Sequence, residues 1–535
     1  MMFGISRRVL FNSAYACLSG ITVAFLFPNF NLEFLAWVSL VPLLYAVSNS
    51  NSFKESFLYG FLAGVISYII ILYWIVYTVQ KFGGLPYYIA VVALLLLASY
   101  LALYFALFSG FGRILLNNYR ILNIILIPSC WVFFEFLKSN LLTGFPWENL
   151  GVSQYLNLPF IQIVNITGTP GLSFVIVLVN YLVFHFIFYK NRISKKQALF
   201  ELIFGLSVFI IVISYGYYNI YSVNRLLRNK KPVRVALIQG NIGMFQKWKI
   251  TKKRTTGIYL NLTKKSLKYR PKLAIWPETA LPYIISIEPF YWDKVMNFSK
   301  KNKIDLIFGA IGLKLLHGRY HFYNRDYMFT QSGGFSYYDK HHLVPFGEYI
   351  PLKKQLPFLA HILKGAGIGN FTAGKRFRML KSGNLKAGSM ICYESLFNSL
   401  VRNFSKKGAN FLVSITDDAW YGRTSAPYQD MSMTVFPAVE NERFVARAGN
   451  SGISGIISPT GKILGETGIF KRTYLIGYIK LINRKTFFAL YGNIFVYIID
   501  TVFILSIVYL LNFTRSRKYI NTGGSQCPLR HRIRF

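Results

Sequence analysis

The sequence predicts a membrane α-helical bundle of about eight spans joined to an extracytoplasmic α/β layered domain. Composition is the first indication, because 53% of the 535 residues are hydrophobic and only 15% are charged, compared with about 25% charged residues in soluble proteins. Long apolar runs recur through residues 1–220 and return near the C-terminus. Between them, short β-rich runs alternate with polar stretches that are compatible with helices.

The apolar runs are long enough to be read as membrane spans, since a spanning helix needs about 20 mostly apolar residues. Those at 32–48 and 121–137 are the shortest. The first run follows Arg7-Arg8 and could be read as a signal peptide, but the closely following spans and the lack of a small-residue cleavage site favour a membrane helix. The predicted spans are roughly 9–27, 32–48, 56–79, 86–109, 121–137, 171–189, 198–218 and 487–512.

Lys and Arg in the short loops predict the orientation, because cytoplasmic loops are enriched in both residues. One set of alternating loops, together with the C-terminal tail, carries most of these cations, whereas the other set has only Lys81 and Lys138. Residues 1–220 are therefore predicted to form an N-terminal bundle of seven spans, 221–486 the outer domain, and 487–535 the last span and a basic cytoplasmic tail. The predicted cytoplasmic cations are Arg7, Arg8, Lys54, Arg113, Arg120, Lys190, Arg192, Lys195, Lys196, Arg515, Arg517, Lys518, Arg530, Arg532 and Arg534.

The net charge of +40 indicates an anionic partner, either nucleic acid or a lipid surface. The basic residues alternate with apolar runs, which favours the membrane and argues against nucleic acid. A proteome biased toward Lys, Ile, Asn, Tyr and Phe is an alternative without functional meaning. Cys392 is the cysteine in the polar middle of the chain, and the spacing of the four cysteines predicts neither a disulfide framework nor a zinc site.

The predicted outer loop 138–170 has an unusual composition. It contains the run Gly144-Phe145-Pro146-Trp147-Glu148 and further prolines at 159 and 170. We interpret it either as an ordinary interfacial loop with an aromatic anchor or as one wall of a lipid-access site beneath the outer domain.

The hydrophobic pattern changes at Val233. Short β-rich runs alternating with helix-compatible stretches indicate an α/β layered domain, and about 250 residues suffice for one sizeable core. The predicted strands are Val233–Ile238, Leu273–Trp276, Asp305–Gly309, Ala387–Cys392, Asn410–Ile415 and Gly452–Ser458, and the predicted helices include 251–268 and 427–447.

Three segments near predicted strand ends carry side chains suited to nucleophilic catalysis. Glu278 follows one apolar run, Lys340 and Glu348 share a turn-rich segment, and Cys392 ends another run. Active groups in layered α/β folds collect at strand ends. A thiol needs a base to become a nucleophile, and the oxyanion that develops needs a positive donor. Singly, these residues are typical of a core cysteine, a surface lysine and a helix cap; together they predict one site.

A family resemblance follows from these motifs. Glutamate, lysine and cysteine in this order, each after a strand, resemble the nitrilase superfamily of carbon–nitrogen hydrolases. The finer pattern is similar to the apolipoprotein N-acyltransferase family, with a nitrilase-like αββα domain in the periplasm between the seventh and eighth of eight inner-membrane spans. The motifs that carry the resemblance are Trp276-Pro-Glu278, Lys340-His-His-Leu-Val-Pro-Phe-Gly-Glu348, Cys392-Tyr-Glu394, Asp418-Ala-Trp420, and Gln239-Gly-Asn-Ile with Trp248 shortly after.

The resemblance implies a mechanism with two half-reactions. Glu278 takes the proton of Cys392, the thiolate attacks the sn-1 ester of a phospholipid, and Lys340 stabilises the oxyanion. The acyl thioester then passes to the α-amine of a diacylglyceryl-cysteine on an apolipoprotein, with no metal or cofactor. The implied supporting residues are Glu348, Tyr393 and Glu394, and the implied substrate contacts are Trp248 and Trp420, for which ordinary core aromatics are the alternative.

The sequence departs from the family pattern at Asp417, where the family usually has Asn, and at Arg447-Ala-Gly-Asn450. The basic tail after Arg515 has no counterpart that we can name.

Two other classes of protein fit parts of the sequence. A membrane-anchored amidase would use the same three residues, although eight spans are an odd anchor for an enzyme with a soluble substrate. A transporter should carry charges inside its spans, and Glu33 and Glu135 lie only near predicted span ends.

Overall fold

The computed structural model describes residues 6–119, 121–188, 194–351 and 370–522, and of Trp248 and residues 513–522 it describes the backbone alone. Helices fill the first part of the chain and its end. The α-helices are Arg7–Phe25, Val41–Ser48, Phe53–Ile71, Trp74–Gly83, Tyr87–Asn118, Asn123–Asn140, Leu158–Ile161, Val164–Thr167, Thr169–Phe188, Lys195–Arg228, Met244–Lys249, Lys252–Ser266, Pro289–Asn302, Asn398–Lys406, Ala426–Asn441, Phe487–Tyr491 and Ile494–Thr522. Short 3-10 helices include Glu33–Trp37, Leu141–Thr143, Leu150–Gln154, Cys392–Leu396 and Asp418–Tyr421.

Within the described residues, seven helices are long and apolar enough to cross a membrane, judged by length and composition. Some begin at a side-chain cap, which satisfies a backbone N–H that would otherwise have no partner. Ser52 accepts a hydrogen bond from the Glu55 N–H, and Ser194 accepts one from the Gln197 N–H. The seven helices are Arg7–Phe25, Phe53–Ile71, Tyr87–Asn118, Asn123–Thr143, Thr169–Phe188, Lys195–Arg228 and Ile494–Asn512.

The predicted span 32–48 differs from the others. It folds as the 3-10 helix Glu33–Trp37 followed by the eight-residue helix Val41–Ser48. The two pieces together form one of the shorter apolar segments, not one of the long spans. The predicted topology requires this segment to cross the membrane. Because the segment is shorter than the seven long apolar helices, its crossing, and with it the predicted topology, stays a prediction.

Two further predicted boundaries differ. The span predicted over 56–79 is divided into the helices Phe53–Ile71 and Trp74–Gly83. The span predicted over 198–218 continues as one helix to Arg228, so the helical part of the chain ends beyond the predicted boundary at residue 220.

The strands of the outer domain are β1 Pro232–Gln239, β2 Leu273–Ile275, β3 Asp305–Leu316, β4 Arg319–Phe329, β5 Phe335–Asp339, β6 Leu380–Ser382, β7 Leu385–Ile391, β8 Phe411–Thr416, β9 Val445–Gly449, β10 Gly455–Ile457, β11 Ile463–Glu466 and β12 Thr473–Lys480. Among the described residues they form two six-stranded sheets, ordered β12-β1-β2-β3-β4-β5 and β11-β10-β9-β8-β7-β6. The pairs β1–β2, β2–β3, β7–β8 and β8–β9 are parallel. Strand ends from both sheets can therefore meet at one edge.

The domain has the layered architecture that the sequence predicts. Along β1, Val235 and Leu237 pack into the core between the sheets, whereas Ala236 and Ile238 pack toward the core formed with the helix Lys252–Ser266. This alternation follows from the period of two in a strand. The core between the sheets continues without a break into the core of the membrane bundle.

The helix predicted over 427–447 is shorter than expected. It spans Ala426–Asn441 and ends where Glu442 adopts a φ of 48°, in the left-handed region. The end of the predicted helix, from residue 445 on, instead belongs to the buried strand β9, Val445–Gly449. The sheet pairs this segment with β8, and this long-range pairing overrides its local helical pattern.

Candidate active site

Each predicted catalytic residue follows the end of a strand. Glu278 comes three residues after β2, Lys340 comes directly after β5, and Cys392 comes directly after β7. Cys392 has a φ of 55°, a conformation that is costly for a residue with a Cβ atom and is often found at functional sites. The backbone therefore turns sharply at the thiol.

The structure brings the buried residues Glu278 and Lys340 together with the partly buried Glu348. Lys340 Nζ lies 2.8 Å from Glu348 Oε2 and 3.7 Å from Glu278 Oε1. The residues Lys340 and Glu278 are 1% and 7% exposed. Gly309 on β3 lets the backbone at Glu278 pack closely against this strand, because a Cβ atom at position 309 would lie 2.8 Å from the Cα atom of Glu278. The two carboxylates fix the position of the Lys340 ammonium, and a fixed donor of this kind can stabilise an oxyanion.

Burial and charge set the protonation of this cluster. Burial raises the pKa of Glu278, and the Lys340 charge opposes that rise. Burial would lower the pKa of Lys340, but Glu348 and Glu278 raise it above its ordinary value, so the amine stays charged. Burial and the Glu278 charge raise the pKa of Cys392, although Lys340 acts in the opposite direction. The resting thiol is therefore protonated and needs a base before it can act as a nucleophile.

Glu394 joins the lysine segment to the cysteine turn. Its Oε1 accepts hydrogen bonds from the Tyr338 hydroxyl at 2.9 Å, the His341 N–H at 2.6 Å and the His342 N–H at 3.1 Å. Its Oε2 accepts from the Ile391 N–H at 2.9 Å. Burial raises the pKa of Glu394 to about 7. The carboxyl group thus fixes the backbone on both sides of the site.

Tyr393 connects the cysteine turn to the membrane bundle. Its hydroxyl donates a hydrogen bond of 3.1 Å to the backbone carbonyl of Gly144. Gly144 belongs to the outer loop singled out by its composition, and Trp147 from the same loop is buried against Trp74. The loop therefore packs beneath the site, which favours its interpretation as a wall of the site over a purely interfacial loop.

Trp420 lies at a second contact between the outer domain and the bundle. Its ring centroid is 5.0 Å from that of Phe82, at the end of the helix Trp74–Gly83, and its carbonyl accepts a hydrogen bond from Thr78 Oγ1 at 3.0 Å. Trp248 belongs to the helix Met244–Lys249, but its side chain lies outside the described residues.

Several site residues are absent from the sequence prediction. Asn324 Nδ2 donates hydrogen bonds to Glu278 Oε1 at 2.6 Å and to Glu348 Oε1 at 2.7 Å. Lys247 forms a buried ion pair with Asp417. The sequence carries one partial signal for this pair, because Asp417 departs from the family pattern and a buried carboxylate requires a partner.

A second buried charge cluster supports the strand ends near Cys392. Arg447 Nη2 lies 2.7 Å from Asp430 Oδ2 and 3.1 Å from Asp418 Oδ2. Burial raises the pKa of Asp418 to about 7 although Arg447 opposes the rise. The variant segment that begins at Arg447 thus has a structural role behind the site.

Among the described residues, no three His, Cys, Asp or Glu side chains are arranged to hold a metal ion. A buried thiol, a buried carboxylate and a lysine that follow strands of a two-sheet domain define a carbon–nitrogen hydrolase type of enzyme, here joined to a multi-pass membrane bundle. Residues 234–484 match the carbon-nitrogen hydrolase family model, and residues 19–182 match that of the apolipoprotein N-acyltransferase N-terminal domain.

Relatives match over almost the whole chain. The apolipoprotein N-acyltransferase of Geobacter metallireducens is 37% identical over 487 residues, which cover 90% of this chain and 91% of that protein. The apolipoprotein N-acyltransferase of Haemophilus influenzae is 31% identical over 510 residues, covering 92% and 94%. The chain belongs to the apolipoprotein N-acyltransferase family, and the expectation of an N-acyltransferase enzyme is confirmed.

Solved structures resemble about half of the chain. The nitrilase-superfamily protein Nit3 of Saccharomyces cerevisiae is 17% identical, with a TM-score of 0.37, and the match covers 47% of this chain and 90% of that chain. A carbon–nitrogen hydrolase from Helicobacter pylori is 17% identical, with a TM-score of 0.36, covering 46% and 89%.

Proposed function

We propose that Cys392 carries an acyl chain from the sn-1 position of a phospholipid to the α-amine of a diacylglyceryl-cysteine on an apolipoprotein. The observation that carries this proposal is the position of the buried Cys392 turn on the membrane bundle. Tyr393 reaches the loop carbonyl of Gly144, and Trp420 packs on Phe82. A nucleophile held at this junction is suited to substrates whose reacting groups lie at a bilayer surface.

In the first half-reaction, Glu278 accepts the thiol proton and Cys392 Sγ attacks the ester carbonyl carbon. Lys340 Nζ stabilises the oxyanion of the tetrahedral intermediate. The carbon–oxygen ester bond breaks, the proton on Glu278 passes to the leaving oxygen, and a lysophospholipid departs. The acyl chain remains as a thioester on Cys392.

In the second half-reaction, the neutral α-amine attacks the thioester carbonyl. Glu278 accepts the amine proton as the carbon–nitrogen bond forms. The carbon–sulfur bond then breaks, and the proton on Glu278 passes to the leaving Cys392 sulfur, which restores the thiol and the carboxylate. Water competes with the amine at this stage. The 9% exposure of Cys392 supports aminolysis over hydrolysis, because water exclusion prevents the side reaction.

The proposed location is the inner (cytoplasmic) membrane of a bacterium, with residues 221–486 in the periplasm. Single-cysteine labelling from outside, in a protein without native cysteines, tests this placement. We expect labelling at position 300 and none at 193 or 520. Labelling at 193 with protection at 300 would show that the topology is the reverse of the proposed one, with the site on the side of the membrane away from lipoproteins.

Mass spectrometry of the purified full-length protein tests the chemistry. After phospholipid is added, we expect an acyl adduct on Cys392 that is absent in Cys392→Ala and retained in the control Cys17→Ala. Release of ammonia from amides without an adduct would support the amidase alternative. An adduct in the Cys392→Ala variant would show that the nucleophile is another residue.

A further inference from the structure

A buried ion pair lies directly behind Glu278. Lys247 Nζ is 2.5 Å from Asp417 Oδ2, and each residue is 2% exposed. Lys247 Nζ also donates a hydrogen bond of 3.0 Å to the backbone carbonyl of Glu278. The backbone N–H of Asp417 donates one of 3.0 Å to Glu278 Oε2. One partner thus holds the backbone of the base, and the other holds its carboxylate.

The pair also fixes the short helix Met244–Lys249 against the site. Phe245, from the same helix, stacks on Phe82 of the membrane bundle with ring centroids 5.3 Å apart. Asn450 Nδ2 donates to Asp417 Oδ1 at 3.1 Å, so the second sheet also orients the pair. The contacts of Lys247 therefore connect the base, the strand end after β8 and a helix that touches the bundle.

The charges around Glu278 give the pair an electrostatic role. Several polar and titratable groups act on Glu278: Lys340, Glu348, Cys392, Asn324, Tyr421 and Asp417 with its partner Lys247. The Asp417 carboxylate adds a negative charge beside the base, and the Lys247 ammonium offsets it.

We propose that Lys247 and Asp417 form a charge-matched positioning pair, which orients Glu278 and keeps the net charge behind it close to zero. The inference rests on the proposed role of Glu278 as the base that activates Cys392. Lys247 and Asp417 touch no reacting atom in this scheme and act only through Glu278.

The sign of the charge effect separates this role from simple structural support. Lys247→Met leaves the Asp417 carboxylate unbalanced, which raises the pKa of Glu278. Because the base must be deprotonated to act, the acid limb of the pH profile for the rate of acyl-enzyme formation moves to higher pH. Asp417→Asn leaves the Lys247 ammonium unbalanced, which lowers that pKa and moves the limb to lower pH. Each shift should be about one pH unit, since an unbalanced charge near a buried carboxyl group has effects of this order.

The experiment measures the rate of thioester formation against pH for full-length protein in micelles with a phospholipid labelled in its sn-1 chain. We expect opposite limb shifts for Lys247→Met and Asp417→Asn, and a wild-type limb for Lys247→Arg. The double variant K247M/D417N, which leaves no unpaired charge, should restore the limb position even if its plateau rate falls. Lys249→Met, an exposed lysine of the same helix, is the matched control and should leave the profile unchanged.

Shifts in the same direction, or lower plateau rates with an unmoved limb, would overturn the charge-matching role. If Lys247→Met folds poorly, Asp417→Asn and the double variant still decide between these outcomes. A wild-type protein that forms no thioester at any pH would refute the proposed function itself, which is a distinguishable result.

Discussion

Asn324 holds Glu278 through a hydrogen bond of 2.6 Å from its Nδ2 to Oε1 of the carboxylate. The same Nδ2 lies 2.7 Å from Glu348 Oε1, so one neutral amide joins the two carboxylates that flank Lys340. Asn324 is buried within β4. The amide thus determines the spacing of the two carboxylates without adding charge.

We predict that Asn324→Leu slows acyl-enzyme formation about 10–100-fold, because a hydrogen bond to a charged group is worth roughly 1.5–3 kcal/mol. Rapid-quench measurement with a labelled acyl chain gives this rate. Asn302→Leu, in which the amide lost binds only a carbonyl of its own helix, is the matched control. An unchanged rate in Asn324→Leu would show that the other contacts of Glu278, with Lys340 and with the Asp417 N–H, are enough to orient the base.

We predict that Lys340→Met reduces the rate of thioester formation by about 10²–10³, the usual cost of losing one oxyanion donor. The structure adds a second effect. Removal of the ammonium leaves Glu278 and Glu348 unbalanced and raises the pKa of Glu278, so the acid limb of the rate profile should move to higher pH. The measurement is the rate of lysophospholipid release between about pH 5 and 8.

Loss of stability is a separate consequence of Lys340→Met, since breaking a buried ion pair costs about 3–5 kcal/mol. Thermal unfolding should be measured beside the rate. Lys314→Met, which removes a partly exposed partner of Asp339, is the control for loss of a lysine. If Lys340→Met acylates at the wild-type rate, the lysine has no role at the oxyanion.

We predict that Gln429→Leu destabilises the junction between the bundle and the outer domain. Gln429 Oε1 accepts hydrogen bonds from Trp74 Nε1 at 3.1 Å and Trp147 Nε1 at 2.9 Å. Its Nε2 lies within hydrogen-bonding distance of the carbonyls of Pro28 and Ile71. Each buried group left without a partner costs about 1–3 kcal/mol, so the unfolding temperature should fall by several degrees. The exposed Gln331→Leu variant serves as control, and equal unfolding temperatures for the two variants would contradict the prediction.

The sequence predicts the layered class of the outer domain because strands with one or two buried faces have recognisable apolar patterns. The same patterns locate Glu278 and Cys392, since each comes at or just after the end of an apolar run, whereas Lys340 is found from the turn-rich motif that it shares with Glu348. Asn324 could not be found in this way. It lies inside β4, opposite Ile311 of β3, and only the pairing of the strands brings its amide to the carboxylates.

In the membrane part, hydropathy predicts where the long helices lie but not where a helix is broken. Hydropathy locates the long spans, because every residue of a spanning helix adds to the signal. It does not show that the segment 32–48 is divided into Glu33–Trp37 and Val41–Ser48. Packing against neighbouring helices influences such breaks, and an example is Asn180, whose side chain accepts a hydrogen bond from the Leu40 N–H at 2.7 Å.

The final prediction concerns the order of the two half-reactions. One thiol must serve two acyl acceptors in turn, and in the proposed mechanism the same base, Glu278, acts in both half-reactions. The acyl-enzyme should therefore form with phospholipid alone, and lysophospholipid should appear as a burst equal in amount to the enzyme. A diacylglyceryl peptide added afterwards should discharge the thioester without fresh phospholipid, which is the ping-pong behaviour of covalent catalysis. Rapid quench with a labelled acyl chain follows both stages, and Cys392→Ala is the control that should show no burst. Lysophospholipid that appears only when peptide is present would favour a ternary complex, and Cys392 would then need a role other than acyl carrier.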